Sequence, residues 1–437
     1  MDQELKTKSE FHLRSGKAFS DLNDDEVLFF IRIKGKKQYF NLFYPNTFLK
    51  EFKSLNTYRT ISEYTKDADI VIDFSKYSMA DIRTRDYEII DQVLNIDDVI
   101  KRCRGLRAIS MHEARALVFF CSKFFIEFFE GNPKLKLIVA GCVDNYVMDI
   151  MFKFAEHYSV QCLGITDFFL FPKYKLVTNY GEANEFYEPT ENEIDDVLGG
   201  LLNKKTSPLA ISSFKAYKNA FRYFISYHYR FLIRYCFFYK ICGRLGYEYR
   251  FAPYLKAFHT LRQLLQTNFY FHHFDIEFIK RNKDRIVYIP LHWYPEATID
   301  YWTDHPDKAN YFESIYKVVR FFQDKGLTVV LKEHPAFFLC REIDFYKMIR
   351  KFDNVILLNP FVRTQNLLDC INNVVVWNGS TGIEALMIDK DIYCTTESYY
   401  SHNALPYYTE FGNPRKFSIE DKRMIVKGIL KTSLPVT

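Results

Sequence analysis

A turn of small and polar residues is the first stretch of this sequence that could do chemistry. Gly379-Ser380-Thr381-Gly382 follows the valine-rich segment Val374–Trp377 and opens an apolar segment that contains Glu384. Valine runs are typical of parallel strands buried on both faces, and the glycines let a ligand approach the backbone. Ser380 and Thr381 favour a helix N-terminus, which attracts phosphate. We predict that this turn holds phosphate and that Glu384 contacts a nearby ribose hydroxyl.

Two other segments place polar side chains directly after predicted strands. His292 and Glu296 follow the strand Ile286–Leu291, and His334 follows the strand Leu327–Lys332. His334 could donate a hydrogen bond or a proton to a phosphate oxygen, and Glu296 could orient hydroxyl groups or act as an acid or a base. Each motif alone is weak, because such residues often only form loops and caps. Together they predict one ligand site, since parallel strands end at one edge of a sheet.

Several familiar kinds of site do not fit these residues. No Gly-Lys-Ser/Thr follows the glycines, so the turn is not a P-loop, and the dinucleotide pattern GxGxxG is absent. No metal-ligating constellation is apparent, and we predict neither a metal nor a cofactor. The nine cysteines form no CxxC pair, which favours reduced thiols in a cytoplasm over a zinc site or a disulfide framework.

The length of 437 residues predicts two domains. The order of strands and helices in the first 200 residues or so predicts a parallel α/β domain. The predicted strands are Val27–Ile33, Tyr39–Phe43, Asp69–Phe74, Leu135–Ala140 and Val160–Ile165, and the predicted helices are Ile109–Phe129 and Tyr146–Tyr158.

From Arg285 onward, five predicted strands alternate with four predicted helices, which is the pattern of a doubly wound parallel sheet. The strands are Ile286–Leu291, Leu327–Lys332, Val355–Leu358, Val374–Trp377 and Ile392–Cys394; the helices are Tyr311–Lys325, Glu342–Phe352, Thr364–Ile371 and one that follows Gly379 to about Asp389. The segment Ser418–Leu430 is predicted to be a terminal helix.

The segment from residue 211 to residue 247 has no acidic residue, and its lysines and arginines alternate with Phe and Tyr. One interpretation is a pair of helices packed on a domain, with solvated basic side chains. The other is a basic, aromatic surface that binds anionic lipid or a lipid-linked acceptor. We do not expect nucleic acid as a partner, because no nucleic-acid-binding module is recognisable and the net charge is only +5.

The N-terminal 24 residues are polar and charged rather than signal-like. The most apolar stretches are interrupted by charges, such as Lys123 and Glu127, before they reach the ~18 residues that span a bilayer. We therefore expect a cytoplasmic protein that can rest on the inner face of the cytoplasmic membrane.

The three motifs, in this order, resemble those of the bacterial capsule polysaccharide biosynthesis proteins. The matching stretches are Val287–His292 with Pro295–Thr298, Val330–Pro335 and Gly379–Leu386, within a region from about Arg285 to Tyr400. That family is similar to nucleotide-sugar glycosyltransferases of the GT-B type, including Kdo transferases. The resemblance implies two Rossmann-like domains that face each other across a cleft, without a need for a catalytic metal. Trp293 and Tyr294 stand where the family has a smaller pair.

The resemblance also implies roles for individual residues. The second domain would hold the donor nucleotide, with His334 on the donor phosphate, Ser380 and Thr381 around the phosphate, and Glu384 on the ribose. His292, Lys332, Gly379 and Gly382 complete the predicted donor site, in which Lys332 would stabilise leaving-group charge. The acceptor base would come from the first domain, and Asp144, which follows a strand, is the first choice, although it could equally cap a helix. Asp167 and Glu182 are weaker candidates.

The sequence thus predicts a glycosyltransferase that moves a sugar from a CMP-, UDP- or GDP-linked donor to a capsule or lipopolysaccharide glycan. A sugar-nucleotide epimerase, a polyol-phosphate transferase and a non-catalytic scaffold remain alternatives. The predicted organisation is an acceptor-side domain over residues 1–205, an aromatic and basic helical region over 206–283 that belongs to the N-terminal half, a nucleotide-sugar domain over 284–412, and a helix over 413–437 that crosses back.

Overall fold

The computed structural model describes residues 13–31, 59–63, 68–74, 76–168, 170–203, 212–242, 256, 259–294, 296–397, 399–400 and 405–436. The chain divides into two compact units. The first contains residues 1–99, 112–197 and 423–437, and the second contains residues 100–111 and 198–422. The predicted strand Tyr39–Phe43 and the motif residue Pro295 lie outside the described residues.

The first unit is built on a seven-stranded sheet. Its strands are β1 (Val27–Phe30), β2 (Arg59–Ser62), β3 (Ile70–Val71), β4 (Leu137–Ala140), β5 (Gln161–Asp167), β6 (Tyr174–Val177) and β12 (Ser433–Pro435). Their order is β12-β6-β5-β4-β1-β2-β3, in which β6 pairs antiparallel with both β5 and β12 and all other pairings are parallel. The last strand of the chain therefore lies at the edge of the first sheet.

The second unit is built on a five-stranded sheet in which every pairing is parallel. Its strands are β7 (Ile286–Pro290), β8 (Thr328–Lys332), β9 (Val355–Leu358), β10 (Asn373–Val376) and β11 (Asp391–Cys394). The order is β11-β10-β7-β8-β9. Read from β9, this is the 3-2-1-4-5 order of a Rossmann half, whose crevice opens where the order reverses, between β7 and β10.

Helices connect these strands in both units. Their bounds are Thr84–Val93, Ile96–Arg102, Arg104–Arg107, Met111–Glu130, Tyr146–His157, Glu191–Leu202, Ser213–Arg230, Leu261–Gln266, Ile276–Arg281, Ala297–Asp300, Tyr311–Asp324, Ile343–Ile349, Thr364–Leu368, Thr381–Met387 and Ile419–Lys431. Together with the two sheets they confirm the predicted fold class of two Rossmann-like α/β domains. Among the described residues, no helix combines the length and the apolar content that crossing a bilayer requires.

The second sheet has a different cover on each face, because side chains alternate along its strands. Val287 and Ile289 of β7 belong to a core with Ile315 and Val318 of the helix Tyr311–Asp324. Tyr288, on the opposite face of β7, is also fully buried. This double cover explains why the strands are runs of Val, Ile and Leu.

Two parts of the chain group differently from the expected organisation. The helix Ser213–Arg230, expected in the N-terminal half, packs in the second unit, where Ala216 and Ala220 contact Phe338 and Leu339. Small side chains on its packed face allow this close approach.

Residues 100–111 also belong to the second unit. Arg104 and Arg107 there bind the fully buried Asp300 at 2.7 and 3.0 Å. A buried carboxylate needs such partners, which makes these arginines part of the unit that contains Asp300.

Candidate functional site

The carboxyl ends of β7 and β10 approach each other closely through their loops. A Cβ atom placed on Gly379, which follows β10, would lie 3.0 Å from Nε2 of His292, which follows β7. Asn378 Nδ2 donates a 2.5 Å hydrogen bond to the carbonyl oxygen of Thr298. The structure thus brings the motif after β7 and the glycine turn after β10 together at the reversal of strand order, where such sheets bind ligands.

His292 and Glu296 form a pair at this edge. Nδ1 of His292 lies 3.5 Å from Oε2 of Glu296, which also accepts a 2.8 Å hydrogen bond from the Thr298 hydroxyl. Burial favours the neutral acid, but the hydrogen bonds from His292 and from the Thr298 hydroxyl outweigh it and hold the pKa of Glu296 below its usual value. Glu296 therefore stays ionised at neutral pH, which suits an acceptor of hydrogen bonds better than an acid.

The other ring nitrogen of His292, Nε2, is buried and has no hydrogen-bond partner among the described residues. Because Nδ1 faces a carboxylate, we place the proton of the neutral ring on Nδ1, which leaves a lone pair on Nε2. A buried polar atom without a partner is costly. Its position against the Gly379 backbone marks it as a group that a ligand hydroxyl could satisfy.

The surroundings of His334 favour a neutral ring that can donate a hydrogen bond. Its Nδ1 accepts a 3.2 Å bond from the backbone N–H of Ala336, so the neutral ring carries its proton on Nε2. Burial, followed by the nearby His292, lowers the pKa of His334 to about 4, although Glu296 and Glu333 act in the opposite direction. Of the two predicted roles, the structure therefore favours donation to a phosphate oxygen over protonation of that oxygen.

A fully buried ion pair holds both histidine loops in place. Arg341 donates two 2.7 Å hydrogen bonds to the carboxylate of Glu333, one from Nε and one from Nη2. Nη2 also donates to the carbonyl oxygen of His292 at 2.7 Å, and Glu333 accepts from the backbone N–H of His334 and from the Tyr346 hydroxyl. One buried pair thus fixes the backbone at His292 and at His334.

Aromatic rings surround this arginine. The guanidinium lies 5.2 to 5.9 Å from the ring centres of Tyr311, Phe312, Phe337 and Phe345. Tyr294 stacks on Tyr311 at 5.6 Å between ring centres, so its size serves packing. Its neighbour Trp293 is partly exposed and stacks beside His334 at 6.0 Å.

Lys332 and Glu384 form a second titratable pair near the site. Lys332 is buried and donates to the Thr364 hydroxyl at 3.2 Å. Burial lowers the pKa of Lys332 to about 8, although Glu333 and Glu384 oppose this shift. Burial also raises the pKa of Glu384 to about 7, against the charge of Lys332. Both groups therefore change charge near neutral pH, where a bound phosphate or ribose would decide their state.

The turn after β10 differs in detail from the expectation. Ser380 is the N-cap of the helix Thr381–Met387, but its own backbone is already helical and its side chain makes no capping bond. Gly382 is required for space, because a Cβ there would lie 2.3 Å from the hydroxyl of Tyr400, which donates to the carbonyl oxygen of Gly379 at 2.9 Å. The glycines thus shape the turn, while the predicted capping bond of Ser380 is absent.

Asp144 lies in the first unit, four residues beyond the end of β4. The N-cap of the helix Tyr146–His157 is Asn145, whose side chain accepts from two backbone N–H groups. Asn145 also donates to Oδ1 of Asp144 at 3.0 Å. Asp144 is therefore not the helix cap, and its predicted role as a base stays a prediction.

The weaker base candidates both serve local structure. Asp167 forms an ion pair with Lys175 of the neighbouring strand. Glu182 accepts from the backbone N–H groups of Asn179 and Tyr180 at 2.8 and 2.6 Å. In the described parts of the chain, no group of three His, Cys, Asp or Glu side chains is placed to hold a metal ion.

Sequence reasoning missed Arg341, Thr298 and Tyr400, and it gave Glu333 no role. No local signal identifies Arg341, since its partner lies eight residues earlier beyond a turn. Glu333 had a partial signal, because an acidic residue between a buried strand and a His-Pro turn needs a partner.

Residues 247–425 match the model of the family described as capsule polysaccharide biosynthesis protein. No curated protein sequence matches the chain. Among solved structures, a Thermosulfurimonas dismutans KpsC beta Kdo 2,7 transferase is similar with 15% identity, a TM-score of 0.33, and coverage of 74% of this chain and 87% of that one.

The KpsC beta Kdo 2,4 transferase of the same organism has 14% identity and a TM-score of 0.30 over 68% of this chain and 79% of its own. A Methanocaldococcus jannaschii UDP-GlcNAc 2-epimerase has 10% identity and a TM-score of 0.25 over 94% of both chains. With these low TM-scores, the fold description depends on the two sheets themselves. Residues 247–425, which contain the three strand-end motifs, are therefore similar to the capsule polysaccharide biosynthesis protein family.

Proposed function

We propose that this protein is a glycosyltransferase that transfers a sugar from a nucleotide-sugar donor to a capsule or lipopolysaccharide glycan in the cytoplasm. The observation that carries the proposal is the convergence of His292, Glu296 and Gly379 at the reversal of strand order in the second sheet. The capsule family match covers the same region. The donor is a CMP-, UDP- or GDP-linked sugar, and the nucleotide class is the first property to measure.

In this proposal the donor phosphate lies between the turn after β10 and the end of β8. His334 donates from Nε2 as a neutral group, which avoids the desolvation cost of a buried cation. Lys332 supplies positive charge, since a phosphate would raise its lowered pKa and keep it protonated. Ser380 and Thr381 offer hydroxyl groups, and Glu384 is the partner of the ribose.

The reaction forms a bond between an acceptor hydroxyl oxygen and the anomeric carbon while the bond from that carbon to the phosphate oxygen breaks. The nucleotide leaves with the bonding electron pair, and His334 and Lys332 stabilise the charge that develops on it. A base takes the proton of the acceptor hydroxyl. We assign this role to Asp144, and we assign to Glu296 the task of orienting His292, whose Nε2 accepts a hydrogen bond from the bound donor.

A nucleotide panel tests the donor site. The thermal unfolding of the full chain would be followed with CMP, UDP, GDP and their sugar conjugates, because a ligand that binds only the folded state raises Tm. We expect one nucleotide class to stabilise the wild type and to lose about tenfold or more in affinity with His334→Ala. Lys317→Ala, an exposed change on the helix Tyr311–Asp324, is the control. If no nucleotide raises Tm, the donor proposal is wrong and the scaffold alternative stands.

An acceptor assay separates transfer from epimerisation. Release of the nucleotide would be measured with and without a capsule-type oligosaccharide or a lipid-linked glycan. A transferase releases nucleotide at a rate that depends on the acceptor, whereas an epimerase converts the sugar nucleotide without one. Acceptor-independent conversion would contradict the proposal even if the nucleotide binds.

A further inference from the structure

The helix Ser213–Arg230 presents large apolar side chains to solvent on the face away from its packing partners. Ala216 and Ala220 are buried against Phe338 and Leu339. At 100° per residue, the opposite face carries the exposed residues Phe214, Phe221, Ile225 and Tyr229. Phe214 is 78% exposed and Phe221 is 58% exposed. A helix that only packs on a domain shows the reverse pattern, with small or polar residues outside.

The exposed apolar face continues into the π-helical segment Phe231–Tyr239. Leu232, Ile233 and Phe237 are exposed there, and Ile241 follows them. These side chains and those of the preceding helix form a surface that we call the aromatic face. Contiguous exposed apolar patches of this kind mark interaction sites.

Positive charge accompanies the aromatic face. Lys215, Lys218 and Arg222 are exposed and lie beside Phe214, Phe221 and Ile225 on the helical wheel. No Asp or Glu occurs between residues 197 and 247. Apolar side chains flanked by lysine and arginine, without acidic neighbours, fit a surface that combines hydrocarbon with negative charge.

We propose that the aromatic face binds the surface of an anionic phospholipid bilayer. In this arrangement Phe214, Phe221 and Ile225 enter the boundary between headgroups and acyl chains, and Lys218 and Arg222 contact the phosphates. The helix lies in the plane of the membrane and does not cross it. The opposite face stays on the second unit through Ala216 and Ala220. This inference does not depend on the donor site.

Vesicle sedimentation with the full chain tests the proposal. The vesicles would contain phosphatidylglycerol mixed with phosphatidylcholine in one set and phosphatidylcholine alone in the other, at low and high salt. We expect binding to the anionic vesicles that weakens at high salt, since each basic residue near the surface contributes attraction that salt screens. Phe221→Ser with Ile225→Ser, and separately Lys218→Glu with Arg222→Glu, should each weaken this binding about tenfold or more.

Matched variants control for general effects of charge and hydrophobicity. Lys317→Glu with Arg320→Glu makes the same charge change on the exposed side of another helix, and Met111→Ser removes an exposed apolar side chain elsewhere. Both should bind like the wild type. All the substituted side chains are exposed, and circular dichroism and Tm would verify that each variant is folded.

Three results would overturn the inference. They are equal binding to both kinds of vesicle, no binding to either, and loss of binding in the control variants to the same degree. Sedimentation velocity without vesicles tests the alternative that a second copy of this chain binds the aromatic face. A dimer that Phe221→Ser with Ile225→Ser dissociates, in a protein that ignores vesicles, would assign the aromatic face to a second copy of this chain instead.

Discussion

The two sheets of this protein share a strand order but differ in what lies at their carboxyl edges. Both contain five strands in the 3-2-1-4-5 order, β3-β2-β1-β4-β5 in the first sheet and β9-β8-β7-β10-β11 in the second. At the reversal in the second sheet, Nε2 of His292 is buried without a partner among the described residues. At the reversal in the first sheet, Asn145 caps a helix and binds Asp144.

Strand order therefore locates a crevice in each unit, and the side chains decide what that crevice can do. In the first unit, the buried Asp149 is already satisfied by the Tyr180 hydroxyl at 2.9 Å and by Lys153 at 3.1 Å. In the second unit, the buried Glu333 and Arg341 neutralise each other. Arg341 also binds the backbone of His292 and Glu333 binds the backbone of His334, so the pair positions both histidines. We therefore propose donor binding at the second edge, while the role of Asp144 in proton transfer at the first edge stays a prediction.

Asp144→Asn is the sharpest way to break this assignment. If Asp144 takes the proton of the acceptor, kcat should fall by about two to four orders of magnitude, while the affinity for the donor nucleotide stays the same. Steady-state kinetics and nucleotide titration measure the two quantities separately. Asp167→Asn, which only removes an exposed ion pair, should keep most of its activity.

The reverse outcome would be equally informative. Full turnover by Asp144→Asn, with a large loss in His292→Asn, would move the base to the second unit. The pair of His292 and Glu296 would then both bind the donor and take the proton of the acceptor hydroxyl, and the first edge would have no part in the chemistry.

Arg341→Met should cost about 3–5 kcal/mol of unfolding free energy, because Glu333 would be left charged and buried without its partner. Tyr180→Phe in the first unit removes a neutral hydroxyl from the buried Asp149, which keeps Lys153, and should cost only about 1–3 kcal/mol. Denaturant titrations of both variants measure the difference. Arg320→Met, an exposed change, is the control. An equal cost for Arg341→Met and Tyr180→Phe would contradict the view that this ion pair organises the second edge.

The sequence predicted this second edge well because strands and loops follow local patterns. All five strands of the second sheet were predicted within two residues of their observed ends, and the three motifs were expected at one edge. The buried pair of Glu333 and Arg341 could not be predicted, since its contribution to stability depends on burial and on the surrounding aromatic rings, which only the folded chain creates. The side to which the helix Ser213–Arg230 packs was also missed, because two alanines carry that contact.

The first sheet was less predictable for a physical reason. Its strands β2 and β6 were not predicted, and β3 spans two residues where a strand of six residues had been predicted. The last strand, β12, pairs antiparallel at the edge with β6 although more than 250 residues separate the two in sequence. Short edge strands have weak local patterns, so their pairing partners decide whether they form.

Gly382→Ala tests the space at the second edge against Gly141→Ala at the first, directly after β4. A Cβ at residue 382 meets the buried Tyr400 ring, and moving that ring breaks its hydrogen bond to Gly379. We expect a loss of about 1–3 kcal/mol in the free energy of unfolding. At residue 141 nothing lies within 4 Å of the new atom, so Gly141→Ala should stay within about 0.5 kcal/mol of the wild type. Thermal and denaturant unfolding would measure both, and a neutral Gly382→Ala would show that the turn is loose.

The smallest expected effect concerns two glutamates whose pKa values shift in opposite directions. Burial raises the pKa of Glu384 to about 7 from a usual value of 4.5. Between these two pH values, the folded state therefore keeps a proton on Glu384 that the unfolded state has lost. The stability that Glu384 contributes is then full at low pH and is lost as pH rises through about 7. In Glu193, burial is outweighed by the bonds from Thr190, Tyr187 and Tyr174, which lower its pKa. Its contribution is present above the unfolded pKa and is lost as pH falls below it.

Replacing each glutamate by Gln should therefore give opposite slopes. The unfolding free energy of Glu384→Gln relative to the wild type should rise between pH 4.5 and pH 7, by on the order of 1–2 kcal/mol after allowance for solvent screening. Glu193→Gln should be less stable than the wild type at neutral pH, and this deficit should shrink as pH falls through the acid range. Denaturant titrations across pH measure both slopes. Slopes of the same sign would mean that Glu384 finds a hydrogen-bond partner at the second edge even without a ligand, and that its place there is structural.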